Sequence, residues 1–89
     1  MIVEPKEKVS VKVENTENYS LVLYNDDINS FDHVINSLIA ICNLELMESE
    51  QCAWIVHTNG RCSVRHGAYS ELEPKCIALM DRGLSVKIE

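Results

Sequence analysis

The sequence predicts an α+β layer domain, a three-stranded sheet with three helices on one face, in the order strand, helix, helix, strand, helix, strand. Three observations lead there. Ser20 to Tyr24 is an almost unbroken apolar run with β-formers at its centre, the pattern of a strand covered by other structure. Apolar residues then recur at helical spacing in separate stretches. At the end, Leu84, Val86 and Ile88 alternate with Ser85 and Lys87, as in a half-buried strand.

The chain's 89 residues, 46% of them hydrophobic, suffice for one domain with a modest core. Residues 1–18 are polar and mixed in charge, so a mobile N-terminal arm is expected ahead of a core domain at 19–89. Within that arm Val9, Val11 and Val13 alternate with polar residues, the pattern of an optional edge strand. The net charge of −6 and the lack of a Lys or Arg cluster argue against nucleic acid or an anionic membrane as partner and favour cationic or amine-bearing ones. No apolar run is long enough to span a bilayer, and Met1-Ile2-Val3-Glu4-Pro5 lacks a signal-peptide pattern, so a cytoplasmic chain is expected. Cys42, Cys52, Cys62 and Cys76 are evenly scattered and read as reduced, buried thiols. His57 and His66 interleave with two of them, but no spacing gives the close two-ligand knuckle of structural zinc, so neither metal nor cofactor is expected.

Taken in order, the first strand should lie centrally in the sheet and leave through Asn25-Asp26-Asp27. Asn29 or Ser30 can cap a helix starting near Phe31, with Asp32 favourable in its first turn. Phe31, Val34, Ile35, Leu38, Ile39 and Cys42 form its apolar side, with Asp32, His33, Asn36 and Ser37 opposite. A second helix crowds Cys52, Ala53, Val56 and His57 onto one side and ends at Thr58-Asn59-Gly60, where Asn-Gly suits a left-handed terminus. Arg61 to Arg65 reads as a strand, with Cys62 and Val64 alternating against polar neighbours. Ser70-Glu71-Leu72-Glu73 matches a capping box, which starts a short third helix with Pro74 in its first turn, Ile77, Ala78 and Met80 following, and Gly83 as its stop.

Two kinds of function are compatible with this layout. Asp26, Asp27, His57 and a cysteine are the raw material of an acid-base or nucleophilic site, but no spacing specifies a reaction, and there is no phosphate loop or nucleophile elbow. A binding module is the better fit. A protonated α-amino group has three N–H donors, and Asn25, Asp26 and a neutral His57 ring supply acceptors. Phe31 and Val34 on the first helix, with Ala53, Val56 and His57 on the second, make two stripes that can face each other. The plain alternative stays open: Asn25-Asp26-Asp27 as turn chemistry, His57 at its helix's negative end, and the apolar residues as ordinary core.

Leu23-Tyr24-Asn25-Asp26-Asp27, followed at matching distance by Val56-His57-Thr58-Asn59-Gly60, resembles the ClpS family of adaptor proteins. The family pattern is an apolar strand, Asn-Asp-Asp, a helix pair, then Val-His with a Gly three residues on; the likeness covers about Tyr19 to Ile77 and Leu84 to Glu89. The resemblance implies an antiparallel sheet and a monomeric adaptor without catalytic activity. Such an adaptor binds N-degrons, substrates with a free α-amino group and a bulky hydrophobic N-terminal residue. It delivers them to the N-terminal domain of a Clp AAA+ unfoldase of the ClpA or ClpC type. By the same resemblance, Asn25, Asp26 and His57 hold the amine, while Asp27 is a loop or capping residue. Phe31, Val34, Ala53, Val56 and Leu84 line the side-chain pocket, Lys75 lies toward the unfoldase, and the arm serves delivery. Phe31 stands at a gatekeeper position that is often Met and is thought to exclude β-branched residues; Ala53, also commonly Met, implies a wider cavity suited to large aromatic residues. Other departures are Asn29-Ser30 in place of Thr-Pro, Arg65 in place of Gly, and a third helix expected to be shorter by a turn or more. Two rival readings are a regulator that docks on the unfoldase without carrying substrate and a domain like the ribosomal stalk protein's C-terminal domain, whose lysine-rich helical face this chain lacks.

Overall fold

The structure, a computed structural model, describes residues 18–89; the arm, apart from Asn18, and its alternating valines lie outside the described residues. Six elements follow in the predicted order: β1 (Tyr19–Tyr24), α1 (Phe31–Cys42), α2 (Leu46–Asn59), β2 (Arg61–Gly67), α3 (Tyr69–Asp81) and β3 (Ser85–Ile88). The sheet order is β2-β1-β3, with both pairings antiparallel, so the apolar run occupies the centre as its composition requires. Leu21, Val22 and Leu23 are at most 2% exposed. Leu21 and Leu23 share a core with Leu38, Cys42, Cys52, Val56, Leu72, Cys76, Leu79, Leu84 and Val86, contributed by all three helices and the β3 edge. Among the described residues, no helix is long and apolar enough to cross a membrane.

Local chemistry sets most element ends. Ser30 caps α1, its hydroxyl accepting from the His33 backbone N–H at 3.1 Å. Asn43 closes the same helix in a left-handed conformation, and Gly60, at φ 93°, ends α2 where the Asn-Gly pair predicted. The β2 strand runs two residues past its expected end at Arg65, to Gly67, and its pairing with β1 shifts between Leu21 and Val22. Leu21 pairs with Arg65 and Val22 with Ser63, which leaves Val64 as the extra residue of a bulge. Because the bulge turns Arg65 toward the helices, its guanidinium reaches the Cys42 carbonyl from Nε at 3.1 Å and also from Nη2. A cation thereby satisfies a carbonyl at the negative end of α1.

Several expectations are corrected. Ser37, assigned to the polar side of α1, is fully buried, because it lies at i+3 from Val34 and i−4 from Ile41, both packed on the core. The third helix does not begin with a Ser70–Glu73 capping box. Ala68 holds the N-cap position, and its carbonyl accepts from the N–H groups of Glu71 and Leu72. Ser70 consequently sits inside the first turn, and Pro74 is the sixth helical residue rather than part of the first turn. With 13 residues, α3 is not short; it exceeds the 12 of α1. Its buried side is Leu72, Cys76 and Leu79, whereas Ile77 and Met80 are more than half exposed. The i, i+4, i+7 spacing of the buried trio outweighs the apolar character of the other two.

This rotation of α3 is testable by urea unfolding. Leu79→Ala should cost about 2–5 kcal/mol as a buried large-to-small change, and Met80→Ala should stay within about 0.5 kcal/mol as a surface change. The reverse ranking would contradict the observed face.

Candidate functional site

The end of β1 is fastened from two sides. The Asn25 backbone N–H donates to the Gly60 carbonyl at 3.0 Å, which sets the first residue beyond the strand against the end of α2. One residue on, Asp26 gathers the loop. Its Oδ1 accepts from the backbone N–H groups of Ile28 and Asn29, both at 3.0 Å. Its Oδ2 accepts from Asn29 Nδ2 at 2.9 Å and from the Ser85 hydroxyl at 3.3 Å. Asn29 Nδ2 also donates to the Gly83 carbonyl at 2.9 Å, so the β1–α1 loop is sewn to the α3–β3 connection. The Asn29 backbone N–H, with the other donors, holds the Asp26 carboxyl below its ordinary range, against the opposing effect of burial.

Around this junction the eight predicted residues Asn25, Asp26, Phe31, Val34, Ala53, Val56, His57 and Leu84 line one cavity of about 300 Å³. Leu23, Tyr24, Asp27 and Asn29 complete it. Ala53, Val56 and Leu84 are buried and form the floor, Val34 is half-buried, and Phe31 and His57 stand exposed at the mouth. The Phe31 ring meets the His57 ring edge-on, with centroids 5.6 Å apart. Tyr24 is anchored from outside, its hydroxyl donating to Glu89 and its ring lying beneath Arg61, which pairs with Glu89 at 2.9 Å. The bond to Glu89 chiefly raises the Tyr24 phenol above its ordinary value and lowers the Glu89 carboxyl.

The two aspartates have different places in the loop. Asp26, read both as an amine ligand and as turn chemistry, closes the loop through its carboxylate, and Asp27, read as a loop or capping residue, is an exposed loop residue that also lines the cavity. An ionised carboxylate offers about four lone-pair sites, and Asp26 already accepts four bonds. Lys75 lies elsewhere, in a surface depression on α3 with Arg65, His66, Glu71 and Leu72. Sequence reasoning missed Trp54, which packs against Phe31 and His57 at the mouth, with centroids 6.3 and 6.0 Å away. Its place at i−3 from His57 on one helix is the signal that could have found it. An apolar floor beneath a rim of acceptors suits a ligand with an apolar side chain and a cationic head. The four thiols are free, and burial pushes those of Cys42, Cys52 and Cys76 up, away from reactive thiolate.

This fold is shared with a solved protein. The structure of Agrobacterium tumefaciens ClpS2 bound to L-phenylalaninamide superposes with a TM-score of 0.79 at 21% identity, covering 83% of this chain and 96% of that one. The architecture is therefore that of ClpS-type domains. The family model for the ATP-dependent Clp protease adaptor protein ClpS matches residues 14–87. The ClpS adapter of Treponema denticola is 35% identical over 72 residues, 81% of this chain and 71% of that protein. The chain belongs to the ClpS family of Clp protease adaptors. The ClpS adapter of Leptospira biflexa is 34% identical over 65 residues, of which the chain spans 56% of the protein's length. A 57-residue stretch is also 40% identical to the human E3 ubiquitin-protein ligase UBR1, covering 64% of this chain but 3% of that protein.

The loop anchorage has a measurable pH signature. Asp26 has a lowered folded-state value, so its contribution to stability is full above the unfolded carboxylate value, about 3.9, and fades as pH falls through the lower folded one. Asp26→Ala should cost about 1–3 kcal/mol at neutral pH, and the gap to wild type in urea unfolding should narrow at acid pH. A gap that widens on acidification would contradict this role.

Proposed function

We propose that the cavity binds the free α-amino group and the bulky hydrophobic side chain of a substrate's N-terminal residue, and that the protein delivers such N-degron substrates to a Clp AAA+ unfoldase. The observation that carries this reading is the convergence of Asn25, Asp26 and His57 with an apolar floor in one cavity of about 300 Å³. In the proposed complex the ammonium donates to the Asn25 amide oxygen and to a neutral His57 nitrogen. Asp26, whose lone pairs are engaged in the loop, contributes mainly its negative charge, and Asp27 adds a second carboxylate at the rim. The side chain descends between Phe31 and Val34 on one wall and Ala53 and Val56 on the other, toward Leu84. Ala53 leaves room that a longer residue would fill, which favours Phe, Tyr, Trp or Leu as the first residue. The ligand of the structural neighbour, L-phenylalaninamide, unites a free amine with an aromatic side chain, the same two chemical features.

The chain acts in this reading as a monomeric, cytoplasmic adaptor without catalysis of its own. The depression around Lys75 serves as the contact for the N-terminal domain of a ClpA- or ClpC-type unfoldase, and the segment 1–18 assists delivery. Because Lys75 and the cavity belong to separate surfaces, substrate and unfoldase can be held together.

His57→Ala tests the amine site. The variant should bind a fluorescent peptide beginning with Phe about tenfold or more weakly in anisotropy titrations, the effect of losing a hydrogen bond to a charged group. Its melting temperature should stay near wild type, because His57 is exposed. Undiminished affinity would overturn the assignment.

A further inference from the structure

The mouth of the cavity carries an exposed aromatic surface, of which Trp54 takes no part in the cavity lining. Trp54 is 59% exposed, and Phe31, beside it, is 41% exposed. Their rings meet edge to face at 6.3 Å, and the indole lies 6.0 Å from the His57 imidazole. Trp54 does not line the cavity itself; with Met47, Glu50 and Ile55 it walls a shallow neighbouring groove of about 330 Å³. The indole thus stands between the place proposed for the first residue and open apolar surface beyond it.

From this we infer that Trp54, with Phe31, forms a subsite for the second residue of the bound chain and selects a large apolar or aromatic side chain there. The inference rests on the amine-pocket reading above. A chain whose amine is held at His57 must leave through the mouth, and its second Cα lies about 3.8 Å from the first. An indole 6.0 Å from the imidazole is within reach of the side chain on that second residue. The Asp26–Asn29 turn also borders the cavity, but its polar groups are bonded to one another and it presents no aromatic ring; its exposed Ile28 lies outside the cavity lining. Exposed aromatic faces accept a further ring in offset or edge-on geometry and gain beyond simple area burial.

The test uses the full chain and peptides identical except at the start: Phe-Phe, Phe-Ala, Phe-Gly and a Gly-Phe control, titrated by calorimetry into wild type, Trp54→Ala and Trp54→Phe. Wild type should prefer Phe-Phe over Phe-Gly by about two- to tenfold, the range of an aromatic pair. Trp54→Ala should bring the two within about twofold while leaving Phe-Gly affinity unchanged, and Trp54→Phe should retain the preference. An unchanged ranking in Trp54→Ala, or an equal loss for every Phe-first peptide, would overturn the subsite and leave the amine pocket standing. If no Phe-first peptide outbinds the Gly-first control in wild type, the pocket reading falls and the subsite with it.

Discussion

The Asp26 carboxylate is the interaction on which the rest of the site depends. It stands one residue after the Asn25–Gly60 contact and draws together the β1–α1 loop, the side chain of Asn29 and the start of β3. That closure positions the loop where packing does not, because Ile28 is 90% exposed and contributes no core packing. With it, Ser30 arrives at the position to cap α1, and Phe31 and Val34 come to face α2. Four donors around this half-buried carboxylate favour its ionised form, and the lowered Asp26 value expresses that.

Placement of the cavity follows from the sheet. Central β1 is covered by the helices, so its last residues emerge at the junction of α1, α2 and β3, where three elements end together and leave a gap. The floor is made of small or branched residues, Ala53, Val56 and Leu84, which belong to the buried set and are held rigid by their neighbours. Polar groups gather only at the open end, where His57 and Asn25 are exposed. Apolar depth and polar rim therefore arise from the ordinary rule that buried positions are apolar and strand ends are not.

Much of this was legible in the sequence. The order of elements, the central strand, the end of α2 at Asn59-Gly60 and the eight residues that share the cavity all followed from spacing, helix-end chemistry and the resemblance to ClpS proteins. The misreadings have specific causes. The Ser70–Glu73 pattern satisfies a capping box on paper, yet the helix is already capped at Ala68 after Gly67, two residues too early for Ser70 to cap. Ile77 and Met80 are apolar but lie off the face set by Leu72, Cys76 and Leu79. The reach of Arg65 to Cys42 depends on a bulge, which one strand's sequence does not announce without its partner's register. The roles of Asp26 and Asp27 could not be told apart from composition, since either can close an Asx turn. Trp54 was passed over because it is exposed, and helical periodicity draws attention to what is buried.

The central claim is that the cavity recognises a free amine together with the side chain beside it. Calorimetry on one peptide beginning with Phe, in free and N-acetylated forms, tests this most directly, because acetylation removes the positive charge and leaves the side chain intact. The account predicts saturable binding of the free peptide and none measurable for the acetylated one; equal affinity for the two would contradict it.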